Sequence, residues 1–169
     1  RTGWPAVGKT TNSEIVVSHD FQVKANVCKS TDGGTSWVNI PFGESISLCW
    51  PRMVSNGNTV HVIGQTVTTT PYQGFTTGAL VYLTSTDAGV TWSNPIIPTG
   101  LDTSNYAFNA PFSDSYSLAG KGDTIAISYG DGFRSTCLVK STNSGNTWSY
   151  KEILHLPIKK FDTEGTVMY

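Results

Sequence analysis

One eight-residue pattern occurs three times in the chain and constrains its fold more than any other feature. Each copy has a serine first, an aspartate or asparagine third, a glycine fifth and a tryptophan eighth. The copies span 30–37, 85–92 and 141–148, and their tryptophans stand at positions 37, 92 and 148, a period of 55 to 56 residues. A constant period of this length predicts a protein built from repeated supersecondary units.

The residue types within the pattern predict a tight turn between two strands. An Asp or Asn side chain can accept hydrogen bonds from backbone N–H groups a few residues further on, and glycine can take the positive φ of a tight turn. Asn143 replaces aspartate in the third copy, so the position needs a hydrogen-bond acceptor and not a charge. We therefore expect a structural role for the repeated positions. They are Ser30, Asp32, Gly34 and Trp37, then Ser85, Asp87, Gly89 and Trp92, then Ser141, Asn143, Gly145 and Trp148.

Four short strands are predicted around each turn. They span about 4–8, 14–20, 26–31 and 36–40 in the first unit, 50–55, 59–66, 79–85 and 91–97 in the second, and 116–120, 124–130, 136–142 and 147–153 in the third. β-Branched runs and hairpin signals such as Asn56-Gly57 and Gly122-Asp123 support this pattern. Four antiparallel strands in each unit, repeated radially, predict an all-β fold of β-propeller blades.

The repeated pattern resembles the Asp box, or BNR repeat, of sialidase-like β-propellers over about residues 4 to 153. The resemblance implies one partial propeller domain over 1–169, with blade 1 at about 4–40, blade 2 at about 50–97 and blade 3 at about 116–153. Propellers usually have about four to eight blades, so three do not close a ring. We expect 154–169 to link toward a further blade, and the remaining blades to be partners, from the same longer chain or from a second copy.

Charge and cysteine content exclude several kinds of partner. Eleven basic and twelve acidic residues give a net charge of −1 without a basic run, which argues against nucleic acid as a partner. No apolar stretch approaches the length of about 18 residues that a membrane-spanning helix needs. The three cysteines and three histidines lack metal-ligand spacing, and no nucleotide-binding motif occurs, so we expect neither a metal nor a cofactor.

The ligand site is expected at the end of the blades opposite to the repeated turns. Antiparallel order puts the turns between the first and second strands and between the third and fourth strands at one end. Two long loops, 67–78 and 98–115, fall at the other end, and long loops on a rigid scaffold commonly carry binding residues. Aromatic rings there could stack on sugars or could pack the loops onto the scaffold. The candidate ligand-binding residues are Arg52, Tyr72, Phe75, Tyr106, Asp131 and Arg134.

Three classes of function stay open. The favoured one is a non-catalytic binding module, extracellular or on the cell surface as the resemblance implies, with a glycan or a surface protein as ligand. The catalytic alternative is a segment of a sialidase-like glycoside hydrolase, an exo-sialidase, in which Asp20, at the end of the second strand, matches only by its position the place where the family's acid/base loop begins. The family's Arg-Ile-Pro motif is not matched, since the two corresponding stretches are Trp4-Pro5-Ala6 and Trp50-Pro51-Arg52. The third class is a structural or assembly propeller.

Overall fold

The computed structural model describes residues 2–11, 14–21, 24–42, 48–66, 80–101, 116–130 and 135–155. These residues form three antiparallel sheets. The first sheet contains β1 (Thr2–Lys9), β2 (Ile15–Phe21), β3 (Lys24–Ser30) and β4 (Val38–Pro41). The second sheet contains β5 (Leu48–Asn56), β6 (Thr59–Thr66) and β7 (Leu80–Ser85). The third sheet contains β8 (Tyr116–Lys121), β9 (Thr124–Gly130), β10 (Ser135–Ser141) and β11 (Ser149–His155).

The predicted all-β fold class is confirmed, with each sheet following chain order from one edge to the other. One predicted strand, 91–97, is wrong as a continuous strand. Ile96 exchanges two backbone hydrogen bonds with Tyr82, and the Ser93 N–H donates to the carbonyl of Thr84, so the segment runs beside β7. The Thr84 N–H, however, donates to the Ser93 hydroxyl in place of a main-chain carbonyl. Pro95 has no N–H to add to the ladder, and the strand is reduced to a bridge.

Residues 1–97 form one compact unit in which the first and second sheets pack face to face. Alternation along each strand puts one set of side chains from each sheet into a shared core. That core consists of Val16, Val27, Phe42, Leu48, Met53, Val60, Val62, Val81 and Leu83. Ala6, Ile40, Trp92 and Ile97 pack against its margin. Burial of this many aliphatic side chains is the main stabilising contribution within the unit.

Strands β1 and β5 come close together within this unit. The Ser55 hydroxyl donates to the carbonyl of Lys9 at 2.9 Å. A Cβ atom at Gly8 would lie 2.8 Å from Ser55 Oγ and 3.0 Å from Ser55 Cβ. Glycine at position 8 is therefore what allows the two strands to approach each other.

Residues 98–169 form the second compact unit, which contains the third sheet. One face of that sheet is buried, and it carries Ile125, Ile127, Tyr129, Cys137 and Val139. The Tyr129 hydroxyl donates to the carbonyl of Gly100 at 3.3 Å, which fixes the segment preceding the sheet. None of the described elements is a helix of the length and apolarity that crossing a membrane requires.

Candidate functional site

Each eight-residue repeat forms a turn that closes on its own side chains. In the first box (residues 30–37), the Ser30 hydroxyl accepts from the Gly34 N–H and donates to Asp32 Oδ1, both at 2.8 Å. Asp32 Oδ1 also accepts from the Ser36 N–H at 2.9 Å, and Asp32 Oδ2 accepts from the Ser36 hydroxyl at 2.6 Å. Both carboxylate oxygens are therefore used inside the turn.

The second box (residues 85–92) and the third box (residues 141–148) repeat this arrangement. Asp87 accepts from the N–H and the hydroxyl of Thr91, at 2.8 and 2.6 Å. In the third box, Asn143 Oδ1 accepts from the Thr147 N–H at 2.8 Å, while Asn143 Nδ2 donates to the Thr147 hydroxyl at 2.8 Å. The threonine hydroxyl reverses its role, so an amide completes the same turn as a carboxylate.

The backbone of the boxes is left-handed at two successive positions. The fifth residue is the glycine for which a positive φ was predicted, and this is confirmed, with φ at 96°, 85° and 87° in the three boxes. The fourth residue also has a positive φ, at Gly33 (72°), Ala88 (58°) and Ser144 (56°). The composition of the repeat did not reveal this second left-handed position, because only the first box has glycine there.

Hydrogen bonds hold the box carboxylates ionised well below neutral pH. The hydroxyl and the N–H of Ser36, together with the Ser30 hydroxyl, lower the pKa of Asp32 to about 2. Burial raises the pKa of Asp87, but hydrogen bonds from Thr91, Ser85 and Val90 outweigh it and lower the pKa to about 2. A group with so low a pKa is a poor proton donor at neutral pH, so these carboxylates suit a structural role and not acid catalysis.

The boxes lie at the end of each sheet that also carries its first hairpin turn. The Ala88 N–H donates to the carbonyl of Asn58, in the turn between β5 and β6, at 2.9 Å. The Ser144 N–H and hydroxyl donate to the carbonyl and carboxylate of Asp123, in the turn between β8 and β9, each at 2.8 Å. We call this the box end of each sheet. The predicted grouping of the two kinds of turn at one end is confirmed in the second and third sheets.

A bulge in β5 lies at the opposite end of the second sheet. The pairing of β5 with β6 passes from Cys49 with Gln65 to Arg52 with Ile63, so β5 has one extra residue. Trp50, within the bulge, is buried and has a φ of 50°, which is unusual for a bulky residue. Strained backbone of this kind costs about 1–3 kcal/mol and is most common at binding and active sites.

Arg52 follows this bulge, and its guanidinium is fixed on the bulge backbone. Arg52 Nη1 donates to the carbonyl of Pro51 at 3.4 Å and to that of Trp50 at 3.5 Å. The side chain is half-buried. Both contacts are long and involve one nitrogen, so they incline the guanidinium toward the bulge, and an arginine fork there suits recognition of a carboxylate or a pair of hydroxyl groups.

The first sheet has a matching bulge without the arginine. In β1 the pairing with β2 passes from Gly3 with Asp20 to Ala6 with Ser18, again with one extra residue. Both bulges contain a Trp-Pro dipeptide, and Ala6 stands where the second sheet has Arg52. Within the first and second sheets, the bulges therefore place one arginine, and not a pair, at the end opposite to the boxes.

A buried polar pair lies on the same face of the second sheet as Arg52. His61 and Tyr82 are both buried, and His61 Nδ1 lies 2.5 Å from the Tyr82 hydroxyl, with the rings stacked at an interplanar angle of 22°. Burial lowers the pKa of His61 to about 4 and raises the pKa of Tyr82 to about 12. The imidazole is therefore neutral near pH 7. The sequence predicts no binding role for His61, and the strand register, which puts His61 diagonal to Tyr82, is the signal that could have indicated the pair.

Most of the predicted ligand-binding residues cannot be placed with Arg52. Tyr72, Phe75, Tyr106, Asp131 and Arg134 lie outside the described residues. The backbone of Asp20 pairs with Gly3 and with Ala25, at the end of the first sheet opposite to its box. Among the described residues, no three His, Cys, Asp or Glu side chains are grouped so that they could hold a metal ion.

Solved β-propeller structures resemble the chain. NanB sialidase from Streptococcus pneumoniae matches with a TM-score of 0.54 and 17% identity, over 90% of this chain and 23% of that chain. Bacteroides ovatus Xyloglucan PUL GH43B matches with a TM-score of 0.57 and 13% identity, over 90% and 30%. A mutant of Trypanosoma rangeli sialidase displaying trans-sialidase activity matches with a TM-score of 0.56 and 15% identity, over 90% and 30%.

These likenesses show the fold and not the function, because the identities are low. The chain is similar to a sialidase-like propeller segment, as the repeated boxes predict, and it spans about a quarter to a third of the length of these structures. No protein-family model and no curated protein matches the chain.

Proposed function

We propose that the chain is part of a propeller that binds a glycan, without turning it over, at the end of the sheets opposite to the boxes. The observation that carries this proposal is Arg52, whose half-buried guanidinium is held on the carbonyls of Trp50 and Pro51 in a strained bulge. A donor fork fixed before the ligand arrives loses little conformational entropy on binding, so its hydrogen bonds contribute more to affinity.

The ligand class is supported by the chemistry of this end of the sheets and by the proteins that share the fold. Guanidinium donors bind the hydroxyl and carboxylate oxygens of sugars, and the predicted aromatic residues Tyr72, Phe75 and Tyr106 would supply stacking surfaces. The structures similar to this chain include sialidases and Bacteroides ovatus Xyloglucan PUL GH43B. We infer the glycan class from these proteins, and we place the protein outside the cell or on its surface.

Binding is proposed ahead of catalysis because of the two matching bulges. Ala6 occupies in the first sheet the position that Arg52 occupies in the second, so among the described residues of these two sheets Arg52 alone places a guanidinium at this end. A site that binds the carboxylate of a sialoside with a cluster of arginines would need more arginines than β1 and β5 provide.

A sialidase-like glycoside hydrolase is the second candidate. Asp20 pairs with Gly3 at the β1 bulge, so its backbone lies at the end of the first sheet that the proposal assigns to the ligand. This position is compatible with an acid/base residue contributed by the segment. The third candidate, an assembly propeller, would use the same end for a protein and not for a sugar.

The proposal is tested with a glycan array and titration calorimetry on the full chain. Removing an arginine hydrogen bond to a ligand costs about 1.5–3 kcal/mol, so Arg52→Ala should weaken the best glycan about ten- to a hundredfold. Lys121→Ala is the matched control, since Lys121 is an exposed cation at the box end of the third sheet, and it should leave Kd unchanged. Tyr72→Ala and Tyr106→Ala should weaken the same glycan.

Three results would point elsewhere. Equal affinity in Arg52→Ala and the parent chain would remove Arg52 from the site. Turnover of a fluorogenic sialoside that Asp20→Asn abolishes would establish the hydrolase in place of the binding module. A blank glycan array, together with a protein partner that Arg52→Ala releases, would establish the assembly propeller.

A further inference from the structure

The first sheet has an apolar face that points away from the second sheet. Alternation puts Val7, Val17 and Cys28 side by side on it, in register across β1, β2 and β3, with Ile15 beside them. Val7 is 68% exposed, and Trp37, at the end of the first box, is 44% exposed. We call this surface, formed by Val7, Ile15, Val17, Cys28 and Trp37, the open face.

The equivalent face of the second sheet is covered by another sheet. Counted from the Trp-Pro bulge, Met53 stands where the first sheet has Val7, and counted from the box serine, Leu83 stands where it has Cys28. Met53 and Leu83 are buried in the core that the two sheets share. The open face therefore has the same place in the repeat as a face that is covered by another sheet.

The tryptophans of the first and second boxes differ in the same way. Trp92 packs edge to face on Phe42, which follows the last strand of the first sheet, with ring centroids 4.7 Å apart. A Cβ atom at Gly89 would lie 3.4 Å from a methyl group of Val16 in the first sheet. At Gly34 the described neighbours of such an atom are Trp37 and Ile15, both within the first sheet itself. The first box thus presents its tryptophan as the second box does, but the partner ring is not among the described residues.

From this correspondence we infer that the open face is the docking surface for a further blade of the same polypeptide, which places an aromatic ring against Trp37 as Phe42 does against Trp92. The interface would continue the one between the first and second sheets, with aliphatic side chains facing Val7 and Val17. The structures that share this fold are single chains of which the present chain spans 23% to 30%, so further blades within one polypeptide suit the surface.

A second copy of this chain is a poorer occupant. The core face of the first sheet presents Val16 and Ile40 to the second sheet. In the third sheet Ala126 corresponds to Val16, because it pairs with the residue before the box serine as Val16 does, and Lys151 corresponds to Ile40, ten residues after that serine. Lys151 is exposed, and a lysine in place of isoleucine would be costly to bury against Val7 without a charged partner.

Hydroxyl-radical footprinting of the full-length protein tests the inference with a matched pair of valines. Val7 and Val38 are 68% and 65% exposed here, and Val38 lies on the other face of the same sheet. If a further blade covers the open face, Val7 should be oxidised at least about tenfold more slowly than Val38, and Trp37 should be protected as well. Equal rates at the two valines would overturn the inference.

Dilution distinguishes the two groups that could cover the open face, a further blade of the same polypeptide and a second copy of the chain. Protection of Val7 that is unchanged over a hundredfold dilution supports a blade within the chain, whereas protection lost on dilution overturns that assignment. A second readout is the melting temperature of the full-length protein. Val7→Lys should lower it by several degrees and Val38→Lys should leave it nearly unchanged, while equal effects would also count against the inference.

Discussion

Phe42 and Trp92 meet edge to face, with their ring centroids 4.7 Å apart and their planes at 61°, and this contact joins the first sheet to the turn of the second box. Phe42 is nearly fully buried, whereas Trp92 is half-buried and lies at the margin of the shared core. The pair therefore links a residue of the repeat to one that lies outside it.

A double-mutant cycle should reveal this coupling. Trp92→Ala should lower the free energy of unfolding by about 3 kcal/mol, and Phe42→Ala by a similar amount, because both create a cavity at the core. The double variant should lose about 0.5–1.5 kcal/mol less than the sum, since the edge-to-face contact is removed only once. Denaturant unfolding measures all three. Phe42→Ala combined with Val7→Ala is the control and should be additive, because Val7 lies on the face of the first sheet that points away from the shared core, and additivity in the Phe42–Trp92 cycle would contradict the contact.

His61 should make the protein less stable in mild acid. Burial lowers its pKa to about 4, below the ordinary value of 6.5, so between these pH values the unfolded chain binds a proton that the folded chain does not. Stability from this site is complete above pH 6.5 and falls as the pH drops toward 4, by about 3 kcal/mol in all. His61→Gln keeps a hydrogen-bonding partner for Tyr82 and should remove this part of the pH dependence.

Unfolding free energies of the parent chain and His61→Gln, measured between pH 4 and 7, provide the test. The difference between the two slopes isolates His61, because the other histidines are the same in both proteins. Parallel curves would show that the imidazole is not held neutral by burial.

Asp87→Asn should fold and should differ from the parent chain mainly above pH 4. Asn143 shows that an amide completes the turn, with Nδ2 donating to the threonine hydroxyl. The pKa of Asp87 is lowered to about 2 from 3.8, so the stability that its charge contributes is present above pH 3.8 and is lost as the pH falls toward 2. Melting curves should therefore converge as the pH is lowered from 4 to 2.

Asp87→Ala serves as the contrast for the box. It removes the acceptor of the Val90 and Thr91 N–H groups, so it should destabilise the protein at every pH. If Asp87→Asn were as destabilising as Asp87→Ala, the carboxylate would have a role that the hydrogen bonds of the turn do not explain.

The strands could be predicted from the sequence where their pairing is regular, and not where it is interrupted. β6 and β9 follow directly from β-branched runs after a hairpin signal. The predicted strand 91–97 could not be excluded from the sequence. The effect of Ser93 and Pro95 on its hydrogen bonding depends on Thr84, which lies opposite on the neighbouring strand. The bulge at Trp50 was missed for the same reason, since a bulge is a property of a strand and its partner together.

The candidate site could be predicted in its position within the repeat but not in its composition. The sequence predicts Arg52 as a ligand-binding candidate, and the structure adds that its guanidinium contacts the carbonyls of Trp50 and Pro51. The pairing of His61 with Tyr82 could not be read from spacing, because the two residues are 21 positions apart and lie diagonally on neighbouring strands.

The sequence by itself determined the repeated turns, because every hydrogen bond that closes a box joins residues at most four positions apart. That local chemistry is complete in eight residues, and it specified an all-β chain of repeated sheets. Only the tertiary structure decided what each repeat faces. Trp37 and Trp92 end copies of the same motif, yet one is exposed and the other packs on Phe42. Burial depends on which surface lies opposite a side chain, and that surface comes from a distant part of the fold.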